Sequence, residues 1–203
     1  MFARVFKIMG PLLCLAFLFM MTGCASNLQR GEKAGLSGDY SAMLEYCKMA
    51  AKESTPNPAA FRCIGDAYFH LGKRSKAIDS YLTYLKYVPN DNVVRMQLVR
   101  MYFEDGNYMA TQVQAEKVLQ VDPTNYEAYF YLGEINRING LCNASRQAYE
   151  RSLQLNPNYS LARTGLEKLE TMDKCKKKKK VYKKIKRHKV FHGGGKALRE
   201  GEF

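Results

Sequence analysis

A 34-residue spacing constrains the fold of this chain more than any other feature. Pro89, Pro123 and Pro157 each follow an apolar run and stand 34 residues apart. Proline stops a helix, and glycine often caps one in the left-handed conformation. The spacing therefore predicts helical hairpins that must stack to bury their apolar faces. The glycines with the same spacing are Gly38, Gly72, Gly106 and Gly140.

Small and aromatic residues also recur at fixed places within each 34-residue unit. The unit that begins at position 58 has Gly65 and Tyr81, and the unit that begins at position 126 has Gly133 and Tyr149. With the proline counted as position 32, these residues resemble the signature of the tetratricopeptide repeat (TPR). The middle unit departs from that signature at Val99, where the family has a small glycine. The resemblance implies an all-α TPR helical-hairpin solenoid.

The repeat register predicts how the chain is divided. Leu161, Leu166 and Leu169 are expected to face inward from a last helix that caps the stack. The predicted segments are a signal peptide (1–23), a degenerate N-terminal repeat (24–57), full repeats (58–91, 92–125 and 126–159), a capping helix (160–173) and a basic, disordered tail (174–203).

The first 23 residues have the pattern of a secretory signal. Two positive charges, Arg4 and Lys7, precede 16 uncharged residues at 8–23. A membrane-spanning helix needs roughly 20 apolar residues, so this stretch is short for a stable anchor. A classical signal peptide with an incidental cysteine, or an uncleaved anchor, is the alternative reading.

Residues 21–24, Met-Thr-Gly-Cys, resemble the lipobox of bacterial lipoproteins. Met21 departs from the leucine that is more usual there. The resemblance implies cleavage before Cys24, a diacylglyceryl group on its sulfur and an acylated amine. Several acyl chains on one residue would attach the chain firmly to a membrane. Ala25 follows the cysteine, which in enterobacterial lipoproteins favours transfer to the outer membrane, where the chain would face the periplasm.

No catalytic constellation is evident, so the chain is not expected to be an enzyme and no cofactor is expected. The sequence has three histidines. His188 and His192 have the i, i+4 spacing of two metal ligands on one helical face, but the neighbouring glycines and lysines offer no acidic ligand. His70 is expected to be structural or at the surface. No metal site is therefore predicted.

Four cysteines remain beyond the signal and Cys24. The repeat geometry that the TPR resemblance implies places Cys47 on a helix that packs on the helix of Cys63. The same geometry places Cys142 and Cys175 at one end of the stack. We therefore predict disulfides Cys47–Cys63 and Cys142–Cys175. Four separate thiols remain the alternative, because cysteine is also a common small core residue.

The first helix of each hairpin, the A helix, is expected to line a concave surface that binds partners. Aromatic residues and arginine, which dominate binding hot spots, are frequent there. Packing is the alternative role for Phe69 and Phe103. The TPR clamp for a C-terminal carboxylate is not expected, because Asn is replaced at the corresponding positions. The predicted groove residues are Arg62, Asp66, Phe69, Met96, Arg100, Phe103, Phe130, Glu134 and Arg137.

The net charge of +13 belongs to the two ends of the chain. The first 23 residues carry +2 and the last 30 carry +11, so the body between them is neutral. Outside the cytosol such a tail would meet anionic lipid, lipopolysaccharide or acidic wall polymer, and nucleic acid is not the expected partner. A solvated tail without a specific partner is equally compatible. The predicted polyanion-binding residues are Lys176, Lys177, Lys178, Lys179, Lys180, Lys183, Lys184, Lys186 and Arg187.

Together these features predict a membrane-anchored TPR scaffold that binds other envelope proteins. The combination looks like the lipoproteins that assist the assembly of pili and secretion pores. An adaptor that recruits cell-wall hydrolases or synthases is an alternative from a different class. A protein that acts mainly through its polyanion-binding tail is another.

Overall fold

The computed structural model describes residues 26–53, 57–172 and 175. These residues form helices and no strand, so the all-α prediction is confirmed. The signal peptide, Cys24 and the basic residues of the tail lie outside the described residues. The helices are α1 Asn27–Leu36, α2 Tyr40–Ala51, α3 Pro58–His70, α4 Arg74–Tyr87, α5 Asn92–Glu104, α6 Tyr108–Val121, α7 Tyr126–Ile138, α8 Cys142–Leu155 and α9 Ser160–Thr171.

The repeated glycines end the A helices α1, α3, α5 and α7. Gly72 and its equivalents have φ between 69° and 79°, where a side chain would be strained. The amide of the next residue returns to a carbonyl near the helix end, as in the bond from Lys73 N to Tyr68 O of 2.8 Å. The helices begin at Asp or Asn caps, among them Asp91 and Asn125, whose side chains accept amide hydrogen bonds. The 34-residue spacing therefore fixes both ends of each hairpin.

The chain divides into two compact units, Met1–Pro89 and Asn90–Phe203. In the first unit, α2 packs on α1 and on α3, and α4 packs on α3. Its core includes Met43, Leu44 and Ile64, together with Cys47 and Cys63. The two cysteines are joined as a disulfide in the structure, with their Cα atoms 5.9 Å apart.

In the second unit, α5 pairs with α6, α7 pairs with α8, and α9 packs on α8 and α7. Tyr149 of α8 is fully buried against glycines of α7 and α9. A Cβ atom at Gly133 would lie 2.6 Å from the Tyr149 ring, and one at Gly165 would lie equally close. The middle repeat instead buries Val99 together with Ala115. Its departure from the family pattern is thus a larger residue on one helix and a smaller one on its partner.

Helix α9 buries Ala162, Gly165 and Leu169. Leu166 is partly buried, but the prediction that Leu161 faces inward is wrong, since its side chain is 53% exposed. Leu161 precedes Ala162 by one position on the helix, and only one of two adjacent residues can face the core.

Cys142, at the start of α8, is joined to Cys175 in the structure, with their Cα atoms 5.6 Å apart. Both cysteines cluster with Leu169 of α9. The bond therefore ties the chain that follows α9 to the start of α8.

Candidate functional site

Three of the predicted groove residues lie on α3 in the first unit. The Tyr81 hydroxyl donates a 2.7 Å hydrogen bond to Asp66, and Arg62 lies 3.9 Å from the same carboxylate. Burial, and then the Asp66 charge, raise the pKa of Tyr81, so the hydroxyl stays protonated and can only donate to the carboxylate. The Phe69 ring is 42% exposed, and its edge contacts His70. These side chains are accessible on the face of α3.

Three predicted groove residues in the second unit are buried, and for them the prediction of a partner-facing side chain is wrong. Met96 lies in a core cluster with Val99 and Ala115. Phe130 packs against aromatic rings of the same unit, including that of Tyr149. Glu134 is 8% exposed. The repeat position places these residues on the A helices, but neighbouring aromatic side chains cover them.

Glu134 is the centre of a buried polar network. It accepts hydrogen bonds from the Tyr149 hydroxyl and from Arg137, whose Nη2 lies 2.6 Å from Oε2. Burial alone would raise the pKa of Glu134, but the hydrogen bonds from Arg137 and Tyr149 hold it below its ordinary value. Burial and the bond to Glu134 raise the pKa of Tyr149. Arg137 therefore balances a carboxylate inside the repeat.

Replacing Glu134 with Gln is expected to lower the free energy of unfolding by about 1–2 kcal/mol at pH 7. Because the folded-state pKa of Glu134 lies below its ordinary value of 4.5, its stabilisation is fully present above that value. It is lost as the pH falls through the lower, folded-state pKa. Denaturant unfolding from pH 7 to pH 3 should therefore show the two proteins converging at acidic pH. Glu150→Gln, on the exposed surface of α8, is the matched control; a gap that widened on acidification would contradict the assignment.

The remaining predicted groove residues are only partly accessible. Phe103 packs its ring against Tyr108 and Tyr131. Arg100 donates hydrogen bonds to Glu127 of α7 and to Gln97 of its own helix. The Arg100 side chain is 38% exposed, so the ion pair with Glu127 lies at the surface of the unit.

A pocket of about 340 Å³ lies within the second unit, beside this ion pair. We call it the α5–α7 pocket. Its walls come from the first turns of α5 and α7 and from the loop before α7. The lining residues are Asn92, Val93, Met96, Arg100, Asp122, Asn125, Tyr126 and Glu127.

The polar groups of the α5–α7 pocket are mostly hydrogen-bond acceptors. Asp122 accepts bonds from the hydroxyl and amide of Thr124, which lower the pKa of its carboxyl. Asn92 donates from Nδ2 to Val118 O at 3.3 Å, whereas its Oδ1 is buried without a partner among the described residues. Val93, 64% exposed, supplies an apolar wall.

Sequence reasoning named Arg100 and Met96 but missed the rest of the pocket. Asn125 was not singled out because it is a helix cap, and its Oδ1 accepts from the Ala128 amide. Asp122 binds the turn residue Thr124 and so also has a local role. The one available signal was the proximity that the repeat implies between Arg100 on one A helix and Glu127 on the next.

Within residues 26–53, 57–172 and 175, no three His, Cys, Asp or Glu side chains group together as metal ligands would. No helix in this part of the chain is long and apolar enough to span a bilayer. His188 and His192 lie outside the described residues.

Comparison with known proteins shows a fold. No family model matches the chain. Human Protein O-mannosyl-transferase TMTC1 is 29% identical over 129 residues, which is 60% of this chain but only 14% of that protein. The mouse protein is 31% identical over 112 residues, 52% of this chain and 11% of its own length. The chain thus spans a small part of these relatives, and their transferase activity is not carried over with it.

Solved structures match more of the chain. MamA superposes with a TM-score of 0.68 at 17% identity, covering 85% of this chain and 96% of MamA. A tetratricopeptide repeat protein from Parabacteroides merdae gives a TM-score of 0.66 at 21% identity, covering 74% and 62%. YrrB, described as a TPR protein with an unusual peptide-binding site, gives 0.62 at 16%, covering 70% and 73%. The chain therefore has the all-α TPR fold that its 34-residue spacing predicts.

Proposed function

We propose that this chain is a bacterial envelope lipoprotein that binds other proteins through the exposed surface of its A helices. The TPR fold supports a role as a protein–protein interaction scaffold. The observation that carries the proposal is the α5–α7 pocket, where exposed Val93 adjoins the Arg100–Glu127 ion pair. Such a combination of apolar area and arginine suits a binding site. YrrB, similar in fold, offers a precedent for peptide binding by a TPR protein.

The proposed membrane attachment depends on Cys24. Its support is the Met-Thr-Gly-Cys sequence after a short apolar stretch. More than one acyl chain on this residue would make release from the membrane slow. Residue 25 is alanine, which supports an outer-membrane position facing the periplasm. Incorporation of a labelled fatty acid that persisted after Cys24→Ser would contradict the proposed anchor.

Within the envelope, we place the scaffold in the assembly of a pilus or secretion apparatus. This role is supported by the combination of a lipoprotein signal with a small TPR domain. The second candidate class is an adaptor for cell-wall hydrolases or synthases. The tail, with 13 Lys and Arg against two acids, supports an additional contact with anionic lipid or wall polymer. Unchanged co-sedimentation with anionic liposomes after Lys176–Lys180 are all changed to Gln would contradict that contact.

Changing Val93 to Glu is expected to abolish or strongly reduce the recovery of crosslinked partners from membranes. Val93 is 64% exposed, so the change adds a charge to the binding surface with little effect on folding. The measurement is quantitative mass spectrometry of proteins crosslinked to the full chain in its own cell and purified with it.

Val113→Glu is the matched control for this capture experiment. Val113 is also exposed, at 44%, but lies on α6, the second helix of its hairpin. Recovery of the same partners, in the same amounts, by the wild type and both variants would contradict binding through the A-helix surface. The identity of the Val93-dependent partners would separate the two roles, since secretin or pilus proteins favour one and wall enzymes the other.

A further inference from the structure

The chemistry of the α5–α7 pocket indicates what kind of side chain it accepts. Two carboxylates, Asp122 and Glu127, line the pocket, against one guanidinium, Arg100. Carboxylates are acceptors only. Arg100 already donates to Glu127 and Gln97. The pocket therefore carries a net negative charge and has more acceptors than available donors.

Asn92 gives an independent indication of a missing donor. Its Nδ2 is used by the Val118 carbonyl, so the orientation of the amide leaves Oδ1 as the free end. This oxygen is buried and accepts no hydrogen bond from the described residues. Buried polar atoms are seldom left unpaired in folded proteins, and a ligand is one common partner. An N–H group entering the pocket would satisfy the Asn92 oxygen.

The size and walls of the pocket suit one long side chain. A volume of about 340 Å³ is at the small end of the range for ligand sites, which begins at about 300 Å³. Val93, Met96 and Tyr126 supply apolar surface beside the polar groups. Long basic side chains combine an apolar stem with a charged end, and so can use both kinds of surface.

We propose that the α5–α7 pocket binds the side chain of an arginine in an extended segment of a partner protein. The guanidinium group presents five donors in a planar fork, which suits acceptors spread over Asn92, Asp122 and Glu127 better than the compact ammonium of lysine. The stem of the arginine lies along Val93 and Tyr126. This inference rests on the proposed function, because it names the chemistry of the partner that the A-helix surface recognises.

The test is an NMR titration of the ¹⁵N-labelled full chain, purified in mild detergent. The probe is N-acetyl-arginine-N-methylamide, compared with the glutamate and leucine derivatives of the same form. The arginine probe should shift the side-chain amide signal of Asn92 and the backbone signal of Thr124. The glutamate probe should not, and the leucine probe should bind more weakly than the arginine probe.

Two conservative variants sharpen this test. Asp122→Asn and Glu127→Gln each remove a charge and keep an oxygen that can accept the existing hydrogen bonds. Each should weaken arginine binding about three- to tenfold, because a charge-assisted hydrogen bond is lost. Glu116→Gln, the same charge change on exposed α6, should leave the affinity unchanged. Glutamate binding as tightly as arginine, or equal affinity in all four proteins, would overturn the proposal.

The outcome separates this inference from the proposed function. Should capture of partners depend on Val93 while the arginine probe fails to bind, the scaffold role stands and the arginine pocket is wrong. Capture that is insensitive to Val93→Glu would instead count against the scaffold surface itself. If the probe binds only after Lys176–Lys180 are changed to Gln, the chain's own tail is the occupant, and the proposal of a partner arginine is overturned.

Discussion

Replacing Tyr149 with alanine is expected to lower the free energy of unfolding by about 3–5 kcal/mol, the usual cost of deleting a large buried aromatic ring. Tyr149 is fully buried, and its ring fills the space that Gly133 and Gly165 leave open on two neighbouring helices. Those glycines cannot close over the cavity without moving α7 and α9 toward α8. The change also removes a hydrogen-bond donor from Glu134.

Tyr149→Phe separates packing from hydrogen bonding. It keeps the ring and removes only the hydroxyl, so a smaller loss, of about 1–3 kcal/mol, is expected. Leu161→Ala, on the exposed side of α9, should change stability by no more than about 0.5 kcal/mol. Urea unfolding followed by circular dichroism measures all three. If Tyr149→Ala costs no more than Tyr149→Phe, then the ring does not hold the helices together.

The helix ends could be predicted from the sequence because single residues determine them. Gly72 and its equivalents adopt positive φ, and the prolines follow the second helix of each hairpin. The aromatic–glycine contacts were also predictable, since Tyr149 recurs at the place of Tyr81 two repeats earlier. The middle repeat shows the limit of this reasoning. Val99 reads as a defect in the sequence, yet the small Ala115 accompanies it in the same core cluster.

The candidate site was predicted less completely than the fold. Repeat position assigns a residue to the A helix, but burial depends on the sizes of its neighbours. Phe130 is covered by rings such as that of Tyr159, although its position suggested a partner-facing side chain. The α5–α7 pocket depends on a loop between repeats, where Asp122 is placed by the Thr124 turn. No periodic pattern describes such a loop, so only the structure brings Asp122 beside Arg100.

The buried network around Glu134 connects fold and site. The Tyr149 that fills the space between helices also donates to the Glu134 carboxylate, and Arg137 balances its charge. Two of the charged residues expected to meet a partner therefore stabilise the repeat instead. The accessible charges near the pocket are those of the Arg100–Glu127 pair. Partner recognition in the second unit is consequently expected to depend on the middle repeat, which departs most from the family pattern.

Changing both Cys142 and Cys175 to serine is expected to lower the free energy of unfolding by about 3–4 kcal/mol, from the loop-closure entropy of a disulfide of this span. The two residues are separated by 33 positions, and their bond encloses α8 and α9. Cys47→Ser/Cys63→Ser provides the background for the measurement, because only the second disulfide then remains. In that background a reductant should reproduce the effect of the serine changes. A midpoint that does not respond to the reductant would contradict the bond and, with it, the proposed oxidising compartment.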